Sequence, residues 1–96
     1  MSQVLRVRMT VSGIVQGVGF RPFLHRLAKQ YSLTGWVRNT PAGVEMELEG
    51  LKEHLESFEH DLTASPPPLA VVEQVHTSLL DKLVHDVGFT ILPSSG

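Results

Sequence analysis

Residues 13–21, GIVQGVGFR, constrain this chain more than any other stretch, because an alternating segment must turn there abruptly into one of helical periodicity. Upstream, Leu5, Val7, Met9 and Val11 alternate with Arg6, Arg8, Thr10 and Ser12, which predicts a strand with one buried face. Downstream, Phe20, Phe23, Leu24, Leu27, Ala28 and Tyr31 recur at helical spacing, with Arg26, Lys29 and Gln30 opposite them. Between the two, Gly13, Gly17 and Gly19 allow left-handed or closely packed backbone, so several amides can converge on one point. The start of the helix adds unpaired N–H groups and a partial positive charge. Pro22 suits the first helical position and biases Arg21 toward an extended conformation at the lip of the turn. Two readings fit this spacing: a tight strand-to-helix turn with a solvent-facing arginine, or a small phosphate or carboxylate site completed by the guanidinium.

The remaining elements follow from the same periodicities. Residues 36–39 read as a short strand, Thr40-Pro41-Ala42-Gly43 as a turn, and Val44, Met46 and Leu48 alternate with Glu45, Glu47 and Glu49 in a second strand of the hairpin. Gly50 is expected to break that strand, and Leu51, Leu55, Phe58 and Leu62 mark a second helix that ends at Ser65-Pro66-Pro67-Pro68. Residues 71–80 predict a strand whose alternation fails, since Val72 and Val75 share a face only if a bulge lies between them. Residues 81–86 form a polar connection, and Phe89 and Ile91 indicate a last short strand. The order β-α-β-β-α-β, with room for an extra edge strand, is that of an α+β, ferredoxin-like sandwich: an antiparallel sheet with two helices on one face. The expected domain covers residues 1–92, with 93–96 as a frayed end or linker stub.

Composition narrows the function classes. The chain has 96 residues and a formal net charge of −2, so a single domain is expected and any anion recognition must be local; a nucleic-acid-binding face is not expected. Exposed aromatics on the central strands, which an RNA-binding module on this fold would need, are also missing from the pattern. With no cysteine there is neither a disulfide framework nor a thiolate site, which suits a reducing cytoplasm, the expected location. No apolar stretch is long enough to cross a bilayer, so no membrane partner is expected.

Rival chemistries fail on spacing. A dinucleotide fingerprint needs a third glycine where Pro22 stands, and the Gly-Lys-Ser/Thr of a P-loop is absent. None of the five histidines has a partner at metal-binding spacing, so no metal and no cofactor is assigned; His25 lies one turn beyond Arg21, either exposed or modulating the anion site. Glu45, Glu47 and Glu49, spaced by two, predict a solvated face opposite Arg6 and Arg8 rather than acid–base catalysis. Asn39 precedes a Pro/Gly turn and could simply bond its own backbone. In a ferredoxin-like sheet, however, the end of the second strand can lie beside the start of the first helix. Asn39 would then face the anion site with an amide able both to donate and to accept.

GIVQGVGFR followed by GWVRN resembles the two signatures of the acylphosphatase family, and the resemblance runs through nearly the whole chain. It implies that the loop, Gln16, Gly17, Val18, Gly19 and Phe20 with Arg21, binds phosphate, and that Arg21 and Asn39 are the catalytic residues, Asn39 orienting the attacking water. Arg21-Pro22-Phe23, the run from Asn39 to Glu45, Pro67-Pro68-Leu69-Ala70 and Phe89-Thr90-Ile91 are most similar to one branch, the amino-terminal acylphosphatase-like domain of the hydrogenase maturation carbamoyltransferases called HypF. One departure from free-standing acylphosphatases is Glu45, where they usually carry valine. The branch implies carbamoyl phosphate as substrate, inorganic phosphate as product, further domains in a longer chain, and a hydrogenase maturation partner. A free-standing acylphosphatase of broad specificity, or a non-catalytic phosphate-binding regulatory module, are the other expectations.

Overall fold

The computed structural model describes residues 3–94 and has the element order β1(Val4–Ile14), α1(Phe20–Gln30), β2(Thr34–Thr40), β3(Gly43–Leu51), α2(Lys52–Ala64), β4(Val71–Leu80) and β5(Phe89–Ile91). The strands form one sheet in the order β4-β1-β3-β2-β5. The first four are antiparallel neighbours in the ferredoxin-like order, and β5 adds a parallel edge against β2, extended by the Leu92 N–H donating to the Val37 carbonyl at 2.8 Å. Pro93 and Ser94 follow without regular structure; the rest of the expected terminal stub, residues 95–96, lies outside the described residues, as do residues 1–2.

Both helices lie on one face. Phe20, Leu24, Leu27 and Ala28 of α1 and Leu55, Phe58 and Leu62 of α2 share a single core with Val7, Met9, Val11, Val37, Val44, Met46 and Leu48 of the sheet. The two helices are also joined at the surface, where the Tyr31 hydroxyl donates to Asp61 Oδ2. That bond, reinforced by burial and the neighbouring charge, raises the phenol above its ordinary pKa.

The expected bulge is present. Ser12 pairs with Gln74 and Gly13 with Val72, leaving Glu73 as the extra residue, and both Val72 and Val75 pack against the core. Gly50, by contrast, does not end its strand: β3 continues to Leu51, paired with Val4. Leu33 packs over it: a Cβ at that position would sit 2.5 Å from Leu33 Cδ2.

Because β1 and β2 run in the same direction, the turn into α1 and the end of β2 lie at one end of the sheet. The chain reaches the far edge by carrying residues 81–88 across the other end, from β4 to β5.

Candidate functional site

The glycine turn is built as the sequence predicts, with one correction. Gly17 (φ 73°) and Gly19 (φ 76°) are both left-handed, and a Cβ built at either would meet nothing within 4 Å. Glycine is required there by backbone conformation and not by crowding. Gly19 caps α1 without any side-chain bond, and Arg21 is the second helical residue, not an extended residue ahead of the helix. Pro22 therefore stands third. It is tolerated because the N–H it lacks is among those that a first turn leaves unpaired; the first intrahelical bond runs from the Phe23 N–H to the Gly19 carbonyl at 3.2 Å.

The consequence is a run of idle donors. Among the described residues, the backbone N–H groups of residues 16–21 find no acceptor. The side chains sort differently. Phe20 is buried in the core and Val18 packs against it, so both can offer an anion only their amides. Arg21 is half-exposed, with no hydrogen bond or ion pair among the described residues. Gln16 is engaged: its Nε2 donates to the Thr40 carbonyl at 2.7 Å and to the Gly43 carbonyl at 2.9 Å, fastening the loop to the hairpin turn.

That turn carries Asn39. Pro41 and Ala42 connect β2 to β3, with the Ala42 N–H donating to Thr40 Oγ1 at 3.2 Å. Gly43, at φ 143°, is pressed against β1 so closely that a Cβ would fall 2.2 Å from the Val11 carbonyl oxygen. Asn39 pairs with Val44, which pairs with Val11; all three stand in one row on the helix-covered face, two residues beyond the fully buried Val37. Asn39 Oδ1 is buried and, among the described residues, has no hydrogen-bond partner. An oxygen in that state ordinarily costs stability, so its retention fits an acceptor kept for a molecule that visits the site. Arg21 and Asn39 are thus at the same end of the fold and on the same face of the sheet. A recess of about 220 Å³ at this end, lined by Thr10, Ser12, Thr40, Gly43, Gln74 and His76, lies toward the opposite face, and no residue of the loop lines it.

The far end of the sheet handles charge in another way. Arg6, only 2% exposed, donates through Nε to Glu47 at 2.8 Å and through Nη1 to Glu49 at 3.1 Å and Asp86 at 2.8 Å. Glu49 also accepts the Val84 and His85 N–H groups at 2.7 and 3.1 Å. Burial works against its ionisation, but the bonds from Val84, Arg6 and His85 outweigh that and hold the carboxyl below the ordinary glutamate range. Burial likewise opposes the Arg6 charge, and its three carboxylate partners more than compensate, raising its pKa. The expected solvated glutamate face is therefore wrong at Glu49, which residues 81–88 cover as they cross the sheet. Nearer the hairpin, Glu45 and Glu47 do face Arg8, and Glu45 also binds Arg38 at 2.9 Å.

Two histidines pack against aromatic rings. His25 packs edge-on against Phe89, with ring centroids 6.1 Å apart, so it braces β5; His54 lies against Tyr31. Among the described residues no three metal-ligating side chains cluster, and no helix is long and apolar enough to cross a membrane.

The acylphosphatase family model matches residues 7–91. The carbamoyltransferase HypF2 of Cupriavidus necator is 44% identical over 93 residues, which are 97% of this chain and 12% of that protein. The acylphosphatase of Caldivirga maquilingensis is 40% identical over 93 residues, covering 95% of this chain and 97% of that one. A crystal structure of full-length HypF in a phosphate- and nucleotide-bound form is similar with a TM-score of 0.91 at 32% identity, over 100% of this chain and 13% of the other. The chain thus spans only about an eighth of the HypF proteins it matches.

Proposed function

This chain belongs to the acylphosphatase family, and from that premise we propose that its glycine loop hydrolyses an acyl phosphate. The observation that carries the reading is, among the described residues, the run of unpaired amides at residues 16–21, with a free guanidinium beside it and the orphaned Asn39 Oδ1 at the same end and face. An acyl phosphate is a mixed anhydride and already activated, so positioning and charge stabilisation suffice. Water attacks phosphorus in line, the bond from phosphorus to the acyl oxygen breaks, and the carboxylate leaves with the electron pair. The loop amides and Arg21 stabilise charge on the equatorial oxygens. Asn39 Oδ1 accepts a hydrogen bond from the attacking water and holds it in line, contributing position more than basicity. The scheme draws on no cofactor.

The substrate is carbamoyl phosphate, split into phosphate and carbamate. Similarity to HypF along nearly the whole chain supports this. The carbamate then passes to further domains of a longer cytoplasmic protein, acting with a hydrogenase maturation partner. A second reading, an acylphosphatase of broad specificity, is favoured by the 40% identity to the Caldivirga protein.

The test is phosphate release from carbamoyl phosphate and benzoyl phosphate, with Arg21→Ala as control. Release from both, lost in the variant, is expected. A protein that binds phosphate but leaves both substrates intact is a regulatory module instead.

A further inference from the structure

The sheet order poses a problem for the proposed chemistry. The phosphate loop follows β1 and the water-holding Asn39 is the last residue but one of β2, yet β3 lies between those strands. Two inter-strand spacings, roughly 10 Å, separate the backbones that must cooperate. Gln16 spans this gap. Its single NH₂ group uses one donor on Thr40, the residue after Asn39, and the other on Gly43, the first residue of β3.

Resting on the hydrolase reading, we propose that Gln16 is a positioning residue, a clasp that sets the distance between the phosphate loop and Asn39, and that its side chain is not a phosphate ligand. With both amide hydrogens spent on carbonyls, the side chain has only Oε1 to offer, and an acceptor repels phosphate oxygens. Nor does the core explain it. Gln16 is exposed, and its neighbours Val15 and Val18 do the packing on either side. The clasp acts on the two groups that meet only when water attacks phosphorus, so it governs turnover and not substrate capture.

Gln16→Leu and Gln16→Glu both remove the donors, and the carboxylate also faces two carbonyl oxygens. Because small misplacements of reacting groups cost up to about 10²-fold, kcat should fall about 10- to 100-fold in both variants. KM and the inhibition constant of inorganic phosphate should stay within about twofold, since binding common to ground and transition states is untouched. Weakened phosphate inhibition with kcat retained would make Gln16 a ligand and overturn the proposal, as would kinetics unchanged in both variants. A second readout needs no activity: the Asn39 side-chain amide resonances should shift or broaden in Gln16→Leu, and unchanged resonances refute the clasp. A wild-type protein that hydrolyses neither substrate sinks the hydrolase reading alone, leaving the resonances to judge the clasp.

Discussion

Arg6 and Arg21 stand at opposite ends of one sheet and differ in nearly every respect but chemistry. Arg6 is buried, with three carboxylates within 3.1 Å, and a chain crossing seals it from water. Among the described residues, Arg21 is half-exposed and unpaired, beside a run of amides that are also unpaired. At the first end the Arg6 charge is answered from within the molecule. At the second, donors are gathered and left without acceptors, which is how a protein holds a place for an anion from outside. Unsatisfied groups therefore tell more about function here than the denser charge cluster does.

The comparison can be broken by exchanging readouts between the two ends. Arg6→Ala leaves Glu49 buried without its cation, and breaking such a pair typically costs about 3–5 kcal/mol. Urea unfolding should show that loss, while phosphate release per folded molecule stays near wild type; a collapse of turnover in folded protein would contradict the division. Arg21→Ala should do the reverse. Removing one oriented donor costs about 3–4 kcal/mol in the barrier, on the order of 10²–10³ in rate. Stability should move by no more than about 0.5 kcal/mol, as for an unpaired surface side chain.

Asn39→Ala should lower kcat by about 10²-fold while inorganic phosphate still inhibits. Because it deletes an unpartnered buried oxygen, its melting temperature should hold or rise, and a large drop would mean that Oδ1 has a structural bond. The smallest effect concerns pH. The Glu49 carboxyl is held below its unfolded value of about 4.3, so its contribution is present above that pH and vanishes as pH falls through the lower folded value. Glu49→Gln should be less stable than wild type at neutral pH, and the gap should shrink as pH falls below the unfolded value and close below the folded one. A gap independent of pH would remove Glu49 ionisation from the account.

Much of this was legible in the residues, because local rules decided it. The Glu73 bulge followed from two valines that could share a face in no other way, and the hairpin followed from turn chemistry at Pro41 and Gly43. What escaped depended on contacts distant in sequence. Pro22 suggested an extended Arg21, but a left-handed Gly19 begins the helix two residues earlier than proline alone implies. Gly50 looked like a strand breaker because nothing local reveals that Leu33 packs over it. The burial of Arg6 and Glu49 depends on where residues 81–88 travel, which periodicity cannot express. At the site, the resemblance pointed to Arg21 and Asn39, yet Gln16's engagement with Thr40 and Gly43 appears only once three strands are side by side.

The most direct test of an anion seat at the glycine loop is a ¹H–¹⁵N titration of the intact chain with inorganic phosphate, repeated on Arg21→Ala. Saturable shifts should centre on the amides of residues 17–21 and weaken sharply in the variant. Shifts centred on the recess by Thr10 and His76, or shifts at the loop indifferent to the loss of Arg21, would contradict it.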